Sequence, residues 1–334
     1  GNSVRCLASD REGNMLIGTT HNGMDVFKGE RFQNFGEDDG LMDREVWSVV
    51  EDKEGRIWFG TSGGIGILDP DETSTARVKT LSMQQGKLTS NRVRSLRIDQ
   101  RGQIWVGTET GGLLELEPSL FRANAHEELS PYIPELKVTA LEVGLLGEIW
   151  IGTLRGLVRM LPGIGQIPMV YGQADGLASD NVSALYRDPH GTLWVGCTSA
   201  GIARIDNGIA KSIALEDRFT PTCFVEDAEG RLWVGTEGQG LMILKDDRIV
   251  ERHSVATGLL SNSVRSIALD GQDHVWIGTT KGLNKWRPKV DGFLSFTDRS
   301  GFTGIEAKLG AVCRTEGGDL WFGTANGATR VLAA

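Results

Sequence analysis

The chain has 334 residues, with 44 Asp or Glu against 35 Lys or Arg, so its formal net charge at pH 7 is −9. A negative chain without a Lys or Arg stripe argues against a nucleic-acid partner, because phosphate backbones are bound by basic surfaces. We find no apolar run of the roughly 18 residues that a membrane-spanning helix needs, so we expect no membrane contact by this segment. No cofactor or metal motif is present, and we expect neither.

A motif of apolar residue, Trp, apolar residue, Gly and Thr recurs along the chain. It occurs eight times, and its second position is held by Leu16, Trp58, Trp105, Trp150, Trp194, Trp233, Trp276 and Trp321. The spacing ranges from 39 residues (Trp194 to Trp233) to 47 residues (Trp58 to Trp105). Such a period is typical of the four-stranded blades of a β-propeller.

Each repeat predicts a meander of strands. In the third repeat, residues 93–99 alternate as a first strand, Gly102 marks a turn, residues 104–108 form a second strand, and residues 113–116 form a third. A weaker fourth strand follows most repeats, as at residues 31–35. No segment has helical periodicity over several turns, so the fold class is all-β, a single propeller over residues 1–334.

Eight motifs predict eight blades. Their approximate limits are residues 1–44, 45–91, 92–136, 137–180, 181–219, 220–262, 263–307 and 308–334. The alternative is seven blades and a stray first repeat, because Leu16 stands where the other repeats have Trp. The last repeat reaches Ala334 after its third strand, so we expect an incomplete last blade.

The repeated residues are predicted to be structural. The seven Trp side chains would each bury roughly 150–250 Å² between blades. The Asp that recurs in the turns, as at Asp52 and Asp99, is interpreted as a turn residue, because a catalytic carboxylate pair would be unique. We find no catalytic constellation, and therefore predict no catalytic residues and no enzyme activity.

The motifs resemble those of the two-component regulator propeller family. The Trp-Gly-Thr strands carry the resemblance, together with the connecting segments DGLMDREV at residues 39–46 and DGLASDNV at residues 175–182. The resemblance implies a periplasmic or extracellular sensor domain of a histidine-kinase-type regulator, although four cysteines that we expect to be free fit an oxidising location less well. It also implies that this chain is a piece of a longer protein.

The loops at one rim of such a propeller are the candidate ligand site. The residue after the start of each first strand, and the residues after each Gly-Thr, would share this rim near the central pore. The candidates are Arg5, Trp47, Arg94, Arg265, Arg155, Glu109, Glu237, Lys281 and His21. Arg offers planar donors to acid groups and Trp a face for a sugar ring. The alternative is that each Arg only pairs with a rim carboxylate.

Three functions remain open. The leading hypothesis is a non-catalytic sensor that binds a small molecule, by analogy with the family an oligosaccharide. The second is a protein-interaction scaffold. The third is a lyase or glycosidase, for which His21 is the only suitably placed histidine. The connection at residues 117–135 is interpreted as a decorated fourth strand, with a lid over the pore or a homodimer contact as alternatives.

Overall fold

The computed structural model describes residues 3–9, 15–21, 23–27, 32–69, 78–119, 122–125, 137–161, 167–287 and 290–333. These residues form 31 β-strands, with 3-10 turns at Glu37–Asp39, Gln173–Asp175, Val255–Thr257 and Asp298–Ser300. Within the described ranges we find no helix with the length and apolar character needed to cross a membrane. Most of the 117–135 connection lies outside the described residues.

Seven four-stranded antiparallel sheets form the blades of a closed ring. In order from the channel outward, blade I has β5 (Val46–Glu51), β6 (Ile57–Thr61), β7 (Ile65–Leu68) and β8 (Val78–Leu81), and blade II has β9 (Val93–Ile98), β10 (Ile104–Thr108), β11 (Leu113–Glu117) and β12 (Arg122–Ala125). Blade III has β13 (Ala140–Val143), β14 (Ile149–Thr153), β15 (Gly156–Met160) and β16 (Met169–Tyr171), and blade IV has β17 (Val182–Arg187), β18 (Leu193–Cys197), β19 (Gly201–Asp206) and β20 (Ile209–Ser212). Blade V has β21 (Pro221–Glu226), β22 (Leu232–Thr236), β23 (Leu241–Lys245) and β24 (Arg248–His253), and blade VI has β25 (Val264–Leu269), β26 (Val275–Thr279), β27 (Gly282–Arg287) and β28 (Val290–Phe296).

Blade VII closes the ring with a strand from the other end of the chain. Its first three strands are β29 (Ala307–Arg314), β30 (Leu320–Thr324) and β31 (Gly327–Val331), and its outer strand is β4 (Phe32–Phe35). β4 runs antiparallel to β31, with Phe35 opposite Ala328 and Phe32 opposite Val331. The expectation of an incomplete last blade was therefore wrong, because β4, the weak strand that follows the first repeat, pairs with the third strand of the last repeat.

The first repeat stands apart from the ring. Its strands β1 (Val4–Ser9), β2 (Met15–Thr19) and β3 (Met24–Phe27) form a separate three-stranded sheet. Val4 and Leu7 are 56% and 60% exposed, whereas Val46 and Val49, at the same repeat positions, are almost completely buried. The prediction of a propeller is confirmed, with the seven-blade alternative. The first choice of eight blades was wrong, because the first repeat supplies only its outer strand to the ring and its other three strands form a separate sheet.

The motif residues pack between blades, as the sequence predicted. All seven Trp side chains are buried. The Gly of the second strand allows a close approach from the next blade, since a Cβ placed on Gly60 would lie 2.7 Å from Val93 Cγ1 and one on Gly323 would lie 2.5 Å from the carbonyl oxygen of Val46. The second contact joins blade VII to blade I, so the same packing continues across the closure.

The turn aspartates bind the motif tryptophans. Asp99 accepts hydrogen bonds from the backbone N–H of Arg101 (2.9 Å) and Gln103 (3.0 Å) through Oδ1, and from Trp105 Nε1 (3.2 Å) through Oδ2. The arrangement recurs at Asp52, Asp188, Asp227 and Asp270. These carboxylates satisfy buried donors in their own blades, which is a structural role.

Candidate functional site

The inner strands surround a central channel that widens at one end. The channel encloses about 370 Å³ and opens into a cavity of about 420 Å³, here called the mouth. The mouth lies where inner strands begin and second strands end, at the rim that the sequence indicated. Its volume lies within the range of small-molecule pockets.

A bulge in the inner strands turns side chains toward this mouth. In blade I, Trp47 is the extra residue between Val46, which faces Thr61, and Ser48, which faces Gly60. The same bulge places Arg94, Ser183, Thr222 and Arg265 in blades II, IV, V and VI. Bulges redirect side chains and are common near binding sites. The variable position that sequence analysis selected is therefore the bulged residue itself.

Blade VII has a longer insertion at this place. Ala307 pairs with Thr324 and Val312 with Phe322, which leaves two more residues in between than in blade I. Gly310 takes up the turn with a φ of 62°, a left-handed conformation that glycine adopts without strain. The insertion brings Lys308 close to Trp47 and places Leu309 against both the channel and the mouth.

Blades III to V use the same position to join neighbouring blades. The hydroxyl of Thr139 donates to the carbonyl oxygen of Val182 at 2.8 Å, and the hydroxyl of Ser183 donates to that of Pro221 at 2.7 Å. Thr222 donates in the same way to the next blade. These hydroxyls donate their protons to backbone carbonyls, so on this half of the rim the position is structural and carries no charge.

The other half of the rim carries cations around an indole. The Arg94 guanidinium lies 3.8 Å from the centre of the Trp47 ring, and Lys308 Nζ lies 4.3 Å from it. These two cations come from the blades on either side of blade I. Trp47 Nε1 donates to Ser62 Oγ at 2.9 Å. Desolvated cation–π contacts of this kind are worth about 2 kcal/mol.

Each of these cations is paired with a carboxylate. Glu109 accepts from Arg94 Nε at 3.0 Å and from its Nη2, and Glu45 accepts from Lys308 Nζ at 2.8 Å. The hydrogen bond from Arg94 lowers the pKa of Glu109, and that from Lys308 lowers the pKa of Glu45, in both cases against the opposing effect of burial. Both carboxylates are therefore ionised at neutral pH.

The structure brings five of the nine candidate residues together. Trp47, Arg94, Glu109 and Glu237 line the mouth. Arg265 joins them through Glu237, with Nη2 at 3.4 Å from Glu237 Oε1. This last pair matches the alternative reading in which a rim Arg pairs with a rim carboxylate.

The other four candidates do not line the mouth. Arg155 and Lys281 lie in turns after second strands, where their backbone N–H groups donate to Thr153 and Thr279. Arg5 and His21 belong to the first repeat, whose strands form a separate sheet, so these two candidates are not brought to the mouth. Arg5 Nε donates to Thr20 Oγ1 within that sheet at 3.1 Å.

Sequence reasoning missed three charged residues at the mouth. Lys308 was missed because the insertion in blade VII shifts it away from the position that the candidates of the other repeats share. Glu45 precedes the first inner strand of the ring, and Lys137 precedes that of blade III. The unequal strand lengths were the signal that could have found Lys308.

The fold and its rim define a closed seven-bladed β-propeller with a polar site at one end of the channel. The two component regulator propeller repeat matches residues 40–63, 87–110, 176–199, 215–238 and 258–281, in five different blades. The chain thus carries two component regulator propeller repeats in these five blades.

Similar proteins include signalling proteins and lyases. Histidine kinase P4 of Formosa agariphila is 26% identical over 278 residues, which are 78% of this chain and 20% of that protein. The extracellular domain of a hybrid two component system from B. thetaiotaomicron is 22% identical with a TM-score of 0.75, covering 98% of this chain and 45% of that one. Virginiamycin B lyase from Staphylococcus aureus is 12% identical with a TM-score of 0.72, covering 91% and 99%. The chain thus spans about a fifth of its curated relative and less than half of the hybrid-system domain, and the structural likeness shows the fold alone.

Proposed function

We propose that this chain is the ligand-sensing propeller of a bacterial two-component-type signalling protein, exported to the periplasm or cell surface. The repeats and the histidine kinase relative support the signalling role. The extracellular domains among the structural relatives support the location. The ligand is a small molecule, for which an oligosaccharide is the family-based candidate, and it binds at the mouth.

One observation supports this site above all. A cavity of about 420 Å³ is lined by cationic, anionic and apolar side chains at the rim where the blades differ most from one another. Scaffold folds place their binding residues on such variable loops, while the repeated residues maintain packing. The sensed molecule would contact Arg94 and Trp47, and the signal would pass to an output module elsewhere in the protein.

The chemistry of the mouth supports a non-catalytic role. A glycosidase needs one carboxyl group with a raised pKa to act as general acid. Glu45 and Glu109 instead have lowered pKa values because cations hold them ionised. A lyase reaction that depends on a rim histidine has no support from His21, which lies on the separate sheet.

A thermal-shift screen against oligosaccharides, sulfated sugars and organic acids tests the proposal. A ligand at a hundred times its dissociation constant adds roughly 2.7 kcal/mol of stability. At about 2.1 cal/mol/K of unfolding entropy per residue, a chain of 334 residues shows this as a rise in Tm of about 4 °C. Arg94→Ala should abolish the shift, and Arg155→Ala, a rim arginine away from the mouth, should retain it.

Three results would contradict the proposal of a non-catalytic ligand site at the mouth. A shift that survives Arg94→Ala would place the ligand elsewhere. Capture of a protein partner by the wild type, lost in Arg94→Ala, with no small-molecule shift across the library would favour the interaction scaffold. Turnover of a ligand would contradict the non-catalytic role.

A further inference from the structure

The charges around Glu109 do not balance. Its carboxylate is paired with Arg94 and lies 3.7 Å from Arg92 Nη1. Lys137 lies close enough for its charge to help lower the pKa of Glu109, after the larger effects of Arg94 and Arg92. Three cations therefore surround one carboxylate, an excess of two positive charges in a chain whose net charge is −9.

Of these three cations, Lys137 interacts least with carboxylates. Within the described part of the chain it has no ion pair, and it is half-buried where it lines the mouth beside Arg94 and Glu109. The cations across the mouth differ, because Lys308 is paired with Glu45 at 2.8 Å and Arg265 faces Glu237 at 3.4 Å. The surplus of positive charge is confined to the side formed by blades II and III.

Two features that a sugar ring would use are already occupied. Arg94 and Lys308 already lie against the Trp47 indole, so a stacking sugar ring would compete with these two cations. The hydroxyls of Thr139, Ser183 and Thr222 have their protons committed to backbone carbonyls. The remaining lining combines apolar residues such as Leu309 with the polar residues Asn181, Thr198 and Thr220. The surplus positive charge favours an anion, and the apolar part of the lining favours a compact apolar body attached to it.

We propose that the mouth binds a small organic acid, with its carboxylate beside Glu109 between Lys137 and Arg94 and its apolar body against Val138, Pro221 and Leu309. The inference rests on the proposed ligand site and specifies what occupies it. The carboxylate could belong to an aliphatic acid or to a uronic acid, and the two sources differ in the polarity of the ring that carries it.

Isothermal titration calorimetry with four probes tests this proposal. The probes are cyclohexanecarboxylate, its neutral amide, glucuronate and methyl glucoside. We expect cyclohexanecarboxylate to bind at least about tenfold more tightly than its amide, the factor of a charge-assisted hydrogen bond. Stronger binding of glucuronate than of cyclohexanecarboxylate would identify a uronic acid as the source of the carboxylate.

Variants locate the acid group. Lys137→Gln should weaken acid binding about tenfold, whereas Lys281→Gln, a rim lysine away from the mouth, should leave it unchanged. Glu109→Gln should tighten acid binding severalfold, because it removes the competing carboxylate. Acid affinity should also fall as salt concentration rises, since part of the attraction is screened.

The outcomes separate this inference from the function on which it rests. Equal binding of acid and amide, or full acid affinity in Lys137→Gln, would overturn the inference. Binding of methyl glucoside or neutral oligosaccharides that Arg94→Ala abolishes would overturn it and leave the sensor site standing. If the acids do not bind and no molecule in the wider screen binds, both the inference and the sensor site are overturned.

Discussion

Closure of the ring by β4 predicts that Phe35 holds two distant parts of the chain together. Phe35 is 7% exposed, and its ring centre lies 4.9 Å from that of Trp321 in blade VII. Replacing such a buried Phe with Ala costs about 3–5 kcal/mol. For a chain of 334 residues the unfolding entropy is about 0.7 kcal/mol/K, so Phe35→Ala should lower Tm by about 4–7 °C.

The first sheet supplies the matched control. Leu16 occupies the Trp position of its repeat but lies on the separate sheet, so Leu16→Ala should leave the main unfolding transition within about 1 °C of the wild type. Differential scanning calorimetry with far-UV circular dichroism measures both variants. An unchanged Tm in Phe35→Ala, or an equal loss in Leu16→Ala, would refute the argument that β4 closes the ring and the first sheet does not belong to it.

Two further predictions concern the turn carboxylates. Burial alone would raise the pKa of Asp270, but hydrogen bonds from Trp276, Lys285 and His274 outweigh this effect and lower the pKa. The contribution of Asp270 to stability is therefore fully present above the ordinary aspartate pKa, and it is lost as the pH falls through the lowered pKa of the folded protein. Asp270→Asn should therefore destabilise by about 1.5–3 kcal/mol at pH 7, and urea unfolding should show this gap narrowing below pH ~4. Gly144 stands where five other blades have Asp. The Glu148 side chain occupies the space beside it, so a Cβ on Gly144 would clash with the Glu148 carboxyl group. Gly144→Asp alone should destabilise the protein by about 1–3 kcal/mol. The double variant with Glu148→Thr, which copies Asp188 and Thr192 of blade IV, should recover most of that loss. A double variant no more stable than Gly144→Asp would contradict this explanation.

The fold was largely predictable because the repeat is local. Each blade is a meander of neighbouring strands, so the motif around Trp58 or Trp105 carries the strands, turns and core of its own blade. The number of blades was not predictable in the same way. It depends on the pairing of β4 with β31, nearly 300 residues away in the chain, and nothing local in residues 32–35 distinguishes an outer strand of its own repeat from one that closes the ring.

The candidate site was predictable where the repeat is regular. Trp47, Arg94 and Arg265 were found because they occupy one column of the repeat, which the structure identifies as a bulge. Lys308 was missed because the insertion in blade VII breaks the column. Lys137 was missed because it precedes its inner strand, where the repeat imposes no residue type.

The division of the rim into two halves has a physical origin in this bulged position. A carbonyl at the start of the next inner strand lies within reach of it, as the bonds from Thr139 and Ser183 to their neighbours show. Where a short hydroxyl side chain satisfies this carbonyl, the blade junction is reinforced and the position itself carries no charge. Where the residue is Trp47 or Arg94, the side chain is too long to fill that role and extends over the mouth instead. At this position, the blades that do not bond a neighbour are therefore the ones that extend a charged or aromatic side chain, while Lys137 of blade III and Glu237 of blade V reach the mouth from positions outside it.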